Sequence, residues 1–211
     1  MSRIVVALVM LGAAVGVTPG CRLGGPDPAE QAVEGHVEGF ERVETDWDYE
    51  EADTPECRSY QERVDELYDQ LSEQGVSSWK RSYHEEAADG TERSVMIRIE
   101  NDSDGARFDG AIQLFVRTFT GKDRSTCLNL RFGTSSVEEI APATRVGRGH
   151  SWAIRMIYNN GAVYRYDTAV WQTGDQMVWL HTWGVDSRAT IEWARQVQRD
   201  AAARLARGED P

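Results

Sequence analysis

No apolar run in this sequence is long enough to cross a bilayer as a helix: the longest, Ile4 to Val17, has 14 residues, against about 20 for a span. Catalytic signatures are equally scarce. The four histidines, His36, His84, His150 and His181, stand in no His-x-x-x-His or Glu-flanked metalloprotease pattern, and neither a Gly-x-Ser-x-Gly elbow nor a Gly-rich phosphate loop occurs. His150 and Ser151 are adjacent, which on an extended chain turns their side chains apart. The three cysteines, Cys21, Cys57 and Cys127, include no Cys-x-x-Cys pair, so a zinc site is not expected. Glu100-Asn101-Asp102-Ser103-Asp104-Gly105 copies the first half of a calcium loop, yet the twelfth position, which needs a bidentate Glu, is Ala111. A polar hairpin turn accounts for the same residues, and no metal or cofactor is expected.

Positive charge is missing from one segment in particular. Between Pro26 and Gly75 there are 17 Asp and Glu against 3 Lys and Arg, whereas Val76 to Pro211 holds 18 of each. The net charge of −12 therefore belongs to a local acidic stretch. Such a stretch repels phosphate, so nucleic acid is not an expected partner. The 211 residues, 40% hydrophobic and 27% charged, suit one ordinary domain with flanking segments.

Met1-Ser2-Arg3 is a short positive start to the apolar run, which ends at Thr18-Pro19-Gly20-Cys21. Run length and flanks are those of a signal peptide. Over residues 1–21 the chain resembles a bacterial lipoprotein precursor, in which cleavage precedes a cysteine that is then lipidated; Thr18 stands where that family usually has Leu. The resemblance implies that residues 1–20 are removed and that Cys21 carries the lipid anchor on the extracytoplasmic face of the cell membrane. Cys57 and Cys127 then remain as one pair, for which a disulfide is the expected state in an oxidising compartment.

Residues 21–54 read as an acidic tether. Arg22 to Pro28 is loop composition, and Val33, Val37 and Phe40 have helical spacing, but Gly35 and Gly39 would each cost a helix about 1 kcal/mol. A flexible chain of this length reaches on the order of 30 Å. The alternative is an acidic face packed on the domain, with Trp47 and Tyr49 docked there.

The domain is expected over residues 55–208 as an α+β fold, an antiparallel sheet with an N-terminal and a C-terminal helix packed on one face. Thr54-Pro55-Glu56 opens the first helix, whose apolar positions are Tyr60, Val64, Leu67, Tyr68 and Leu71, with Gly75 ending it. Alternating segments at 79–84, 94–100, 111–119, 127–132, 151–158, 162–171 and 176–183 read as strands. Asp186 or Ser187 caps the closing helix, with Ile191, Ala194, Val197, Ala201 and Leu205 on one face.

Register decides where the aromatic side chains go. A three-residue loop at Asn159-Asn160-Gly161 makes paired residue numbers sum to 320, placing Trp152, Ile154, Met156 and Tyr158 with Tyr164, Tyr166 and Thr168, and Arg155 with Arg165 and Asp167. A two-residue loop would set Arg165 and Asp167 beside Ile154 and Met156. Gly174-Asp175 suits a type II′ turn that pairs Thr168 with His181 and Tyr166 with Trp183. Trp179, His181 and Trp183 are then the candidate ligand-binding residues, in an aromatic row that serves either as core or as a platform for sugar rings or an apolar ligand.

The order of tether, helix, sheet, Cys57 and Cys127 pair, and the Trp183-to-Leu205 strand-helix ending resembles the PknH-like extracellular sensor-type domain of actinobacterial lipoproteins. The anchor, the tether and the absence of catalytic motifs point to a membrane-anchored, non-enzymatic ligand-binding or sensing module at the cell envelope, with a wall glycan, a lipid or a protein as ligand. The competing reading is an envelope hydrolase or lipid-handling enzyme, for which His150, Ser151, His181 and acidic residues would have to serve.

Overall fold

The computed structural model describes residues 27–43, 54–72, 77–86, 91–101, 108–120, 124, 126–127, 134–147 and 149–207. Its core is a seven-stranded antiparallel sheet in the order β1-β2-β3-β7-β6-β5-β4. The strands are β1 (Glu41–Arg42), β2 (Ser77–Glu86), β3 (Glu92–Asn101), β4 (Thr134–Ile140), β5 (His150–Tyr158), β6 (Val163–Thr173) and β7 (Gln176–Val185). The helices are α1 (Pro28–Val33), α2 (Pro55–Ser72), α3 (Phe108–Thr120) and α4 (Arg188–Arg207). The α+β class holds.

Both hairpin registers are as the sequence predicts. Ile154 pairs with Tyr166 and Met156 with Tyr164, summing to 320, and Gly161 takes φ +84°, the left-handed value the three-residue loop requires. Thr168 pairs with His181 and Tyr166 with Trp183. Gly174 has φ +53° while no non-glycine among the described residues has a positive φ, which fits the type II′ assignment of the next turn.

The two faces of the sheet bury different things. On one, Val95, Ile97, Ile99, Ala169, Trp171, Val178 and Leu180 cluster with Ala29, Ala32 and Val33 of α1 and Val197, Ala201 and Leu205 of α4. On the other, Met96, Val170, Met177 and Trp179 cluster with Cys57, Tyr60, Val64 and Leu67 of α2 and Phe108 to Phe119 of α3. The expectation that both terminal helices share a face is corrected accordingly: strand residues of opposite parity are apolar on both sides, so each face has its own helical cover. Each helix is capped locally. Thr54 Oγ1 accepts from Cys57 N–H at 3.3 Å, and Ser187 Oγ accepts from Thr190 N–H at 3.1 Å, making Ser187 the cap of α4.

Residues 108–120 form a helix where an alternating strand was expected. Ile112, Leu114 and Val116 do alternate with Gln113, Phe115 and Arg117, but the buried set is Phe108, Ala111, Ile112, Leu114, Phe115, Thr118 and Phe119, whose spacing is largely helical. Asp109 in the first turn and Arg117 in the last complement the helix dipole. Of the expected strand at 127–132, Cys127 is helical and 128–132 lie outside the described residues. Strand β4, TSSVEEI, was not anticipated, since an edge strand so polar carries no apolar alternation.

Part of the segment expected as a tether packs on the domain. Residues 27–43 are docked on the domain: Asp27 caps α1 by accepting from Ala29 N–H at 2.9 Å, and Ala29, Ala32 and Val33 are at most 1% exposed. Gly35 and Gly39 take φ +80° and +84°, so they turn the chain instead of weakening a longer helix. Beyond them Phe40 stacks on Trp193 at 5.9 Å and β1 pairs with β2. Cys21, Trp47 and Tyr49 lie outside the described residues, as does the apolar run of residues 4–17.

Cys57 and Cys127 form a disulfide across 70 residues, joining the first turn of α2 to the segment after α3. Closing a loop of this length contributes about 4 kcal/mol in the chain-entropy treatment.

Candidate functional site

The face that carries Trp179, His181 and Trp183 divides into two regions. Residues of one parity on a strand share a face, yet four residues span about 13 Å, so Trp179 and Trp183 meet different neighbours.

Around Trp179 the region is core. Its ring meets Phe115 edge-on at 4.1 Å and Phe119 at 5.3 Å, with Trp152 against Phe115 at 5.7 Å. The Trp179 indole N–H donates to His181 Nε2, while His181 Nδ1 and Thr168 Oγ1 are 2.7 Å apart. With Nε2 accepting, the neutral ring carries its proton on Nδ1 and donates it to Thr168. Burial, then Arg124, holds the His181 pKa well below the usual range. This is a hydrogen-bonded neutral histidine beneath α3, unable to serve as a charged group at pH 7.

Around Trp183 the surroundings are different. Tyr164 stacks on Trp183 with centroids 4.8 Å apart and planes 5° from parallel. Tyr158 meets Tyr164 edge-on at 5.5 Å, and Tyr166 lies 5.9 Å from Trp183. Ile154 and Met156 are the buried floor, with Val137, Tyr158 and Tyr166 packed against them. On the β2–β3 side, His84 faces Trp183 at 6.4 Å and its Nδ1 lies 2.8 Å from Ser94 Oγ. None of the described residues of α2 or α3 belongs to this cluster.

Its polar tips are incompletely satisfied. Trp183 Nε1, Tyr158 Oη and Glu92 Oε2 are buried atoms without a hydrogen-bond partner. The Tyr166 hydroxyl lies near both Tyr158 and Trp183 without reaching hydrogen-bond geometry to either of those atoms. Burial is the main cause that raises the Tyr158, Tyr164 and Tyr166 pKa values. It also raises that of Glu92, which neighbouring His84 and a hydrogen bond with Tyr164 lower in part. The tyrosines are therefore protonated at neutral pH. Chemically the cluster offers ring faces and neutral hydrogen-bonding tips, an arrangement suited to holding a polar ligand.

The sequence placed Trp183 on the correct face and grouped it with Tyr164 and Tyr166. It missed Glu92 and His84, which reach the cluster through the β2–β3 hairpin and the long-range β3–β7 pairing, the second of which no local turn dictates. His150 and Ser151 sit side by side on β5, and Ser151 Oγ accepts from Val146 N–H at 3.4 Å. Glu100 is buried beside Arg98, with which it pairs, and Asn101 ends β3; residues 102–105 of the calcium-like loop lie outside the described residues. Among the described residues no group of three or more His, Cys, Asp or Glu is placed to hold a metal ion, and no helix is long and apolar enough to cross a membrane.

No protein-family model matches the chain, and no curated protein matches it. Among solved structures it is similar to the Ran-binding protein Mog1p of Saccharomyces cerevisiae, at 15% identity and a TM-score of 0.29, covering 61% of this chain and 72% of that one. It is also similar to CalU16 of Micromonospora echinospora, at 9% identity and a TM-score of 0.27, covering 64% of this chain and 84% of that one. Likenesses at this level do not bear on what the chain does.

Proposed function

We propose that this chain is a lipid-anchored, non-enzymatic module on the extracytoplasmic face of the cell envelope, and that the aromatic cluster around Trp183 is where it binds a wall glycan. The observation that carries the reading is the stacked Tyr164–Trp183 pair beside three buried polar atoms that lack partners. A sugar presents C–H faces that stack on such rings, and hydroxyls that both donate and accept. It would complement the indole N–H, the phenol and the carboxylate together, where a lipid tail would leave all three unpaired.

Placement at the envelope rests on the signal-peptide pattern, on Cys21 at its end and on the oxidised Cys57–Cys127 pair, which belongs to an oxidising compartment. The kinship to PknH-like sensor-type domains is proposed on the order of elements. The hydrolase reading draws no support from His181, which is buried and neutral, or from His150 and Ser151, which an extended strand turns to opposite faces.

Binding of the purified protein to cell-wall glycan, followed by tryptophan fluorescence, tests the site. Tyr164→Ala removes the half-buried stacking face and is expected to weaken binding about threefold to tenfold. Unchanged affinity, or no glycan binding by the wild type, would remove the assignment. Placement is tested separately: Cys21→Ala is expected to shift the protein from the membrane fraction to the soluble one, and retention at the membrane would contradict the lipid anchor.

A further inference from the structure

A second region, beside β2 on the other face of the sheet, has the makings of a site of its own. Between α1, the turn that follows it and β2 runs a groove of about 730 Å³ lined by Glu30, Gln31, Glu34, Val37, Glu38 and Tyr83, with Asp27 at its end. This volume falls in the range that holds small organic ligands.

Two independent features mark it. The first is charge: Asp27 is paired with Arg81, whereas Glu30, Glu34 and Glu38 face the groove with no ion pair among those of the described residues. The second is Tyr83, only 6% exposed, whose hydroxyl is buried in the groove wall without a hydrogen-bond partner. After burial itself, Glu30 is the strongest influence on that hydroxyl, ahead of Arg42 and Arg81, which places the phenol between the acidic row and the arginines of β1 and β2. A buried hydroxyl left unpaired is costly, and that cost is removed when a ligand group meets it.

The geometry selects among cations. Glu30, Glu34 and Glu38 recur every four residues along the chain, and the described residues contain no group of three or more acids converging closely enough for a metal ion. A string of separated carboxylates matches a string of separated ammonium groups, each with N–H donors for a carboxylate or for the Tyr83 oxygen. We infer that the α1–β2 groove is a binding site for a linear organic polyamine, held by Glu30, Glu34 and Glu38 and anchored at the Tyr83 hydroxyl.

Calorimetric titration of the purified full chain with spermidine, in about 0.1 M salt so that diffuse attraction is screened, is the test. One saturable site is expected. Glu30→Gln with Glu34→Gln should weaken it at least about tenfold, since each lost charged hydrogen bond is worth roughly that factor. Tyr83→Phe is the sharper probe: it should weaken spermidine binding several-fold while leaving thermal stability unchanged or raised, because the hydroxyl makes no bond in the free protein. Three results would each overturn the inference: no saturable binding; equal affinity for spermidine and for magnesium; or a Tyr83→Phe variant that binds as the wild type does. A lysine-rich peptide that binds and displaces spermidine through the same residues, but far more tightly, would overturn the choice of ligand.

Discussion

Asp167→Ala should be among the most damaging single changes in the molecule, and its size follows from what the carboxylate holds. Asp167 is 1% exposed and pairs with Arg165, itself 6% exposed by side chain. Its Oδ1 also accepts from Ala143 N–H at 2.6 Å and from Arg165 Nη2 at 2.8 Å, and the same Nη2 donates to Ala141 O at 2.7 Å. The pair therefore fixes the segment after β4 onto the sheet, where Val146 completes the apolar cluster and Arg195 of α4 donates to Ala143 O at 2.9 Å. Truncation leaves a guanidinium buried without a counter-charge, opposite Arg155 on β5, and orphans the Ala143 N–H. Breaking a buried pair in this way costs about 3–5 kcal/mol, a large share of the roughly 5–15 kcal/mol that holds a domain of this size. Removing both charges, as Arg165→Met with Asp167→Leu, leaves mainly an unpaired Ala143 N–H and Ala141 O, at about 1–3 kcal/mol. Urea unfolding should therefore rank the double variant above Asp167→Ala. A single variant within about 1 kcal/mol of wild type, or a double variant less stable than the single, would refute this account.

Three further outcomes are expected. Reducing and alkylating the Cys57–Cys127 disulfide should lower unfolding free energy by about 4 kcal/mol, read by calorimetry; an unchanged transition would mean the bridge does not constrain the unfolded chain. Because His181 stays neutral when folded, the unfolded chain alone takes up its proton below about pH 6.5. The stability it supports is thus full above that pH and falls as pH drops, by up to about 1.4 kcal/mol per unit. Half-buried Glu92 and buried Glu100, whose values are raised, act in the opposite direction, so the difference between wild type and His181→Gln isolates the term; parallel curves from pH 7.5 to 5.5 would refute it. Tyr158→Phe, which deletes a hydroxyl with no hydrogen-bond partner, should leave the free protein as stable or more so while weakening glycan binding. A clear loss of stability would show that the hydroxyl is structural.

What the sequence disclosed and what it hid have identifiable causes. The β5–β6 register was legible because only one loop length keeps Arg165 and Asp167 away from Ile154 and Met156, and turn chemistry at Gly161 agreed. The disulfide followed from counting cysteines once Cys21 was set aside. Helix α3 was not legible as such: apolar residues at 112, 114 and 116 fit a two-residue period, and the deciding residues, Phe108 and Phe115, need the helix to be assumed before they align. Docking of α1 was hidden because it depends on contacts between the two ends of the chain: His36 with Asp200 at 2.8 Å, Arg204 with Gln31 O at 2.9 Å, and Phe40 with Trp193. Local propensity could report only that six residues with two glycines behind them make a poor isolated helix.

The division of the aromatic row into a core half and a polar-tipped half is the step from fold to function. In the α3 region Phe115, Phe119 and Trp179 interlock and Trp179 Nε1 finds His181, although Thr118 Oγ1 and Trp152 Nε1 there are also buried without a partner. At the other end the same strands present Tyr158, Tyr164, Tyr166 and Trp183, where phenylalanine would fill comparable space and bury no hydroxyl. An unpaired buried polar atom costs about 1–3 kcal/mol, and three of them lie within this one cluster. That cost is recovered if a ligand supplies the missing partners. Sites held at the expense of stability are a common signature of function, and the tyrosine-rich end is the half of the face that the described helices leave to its own side chains.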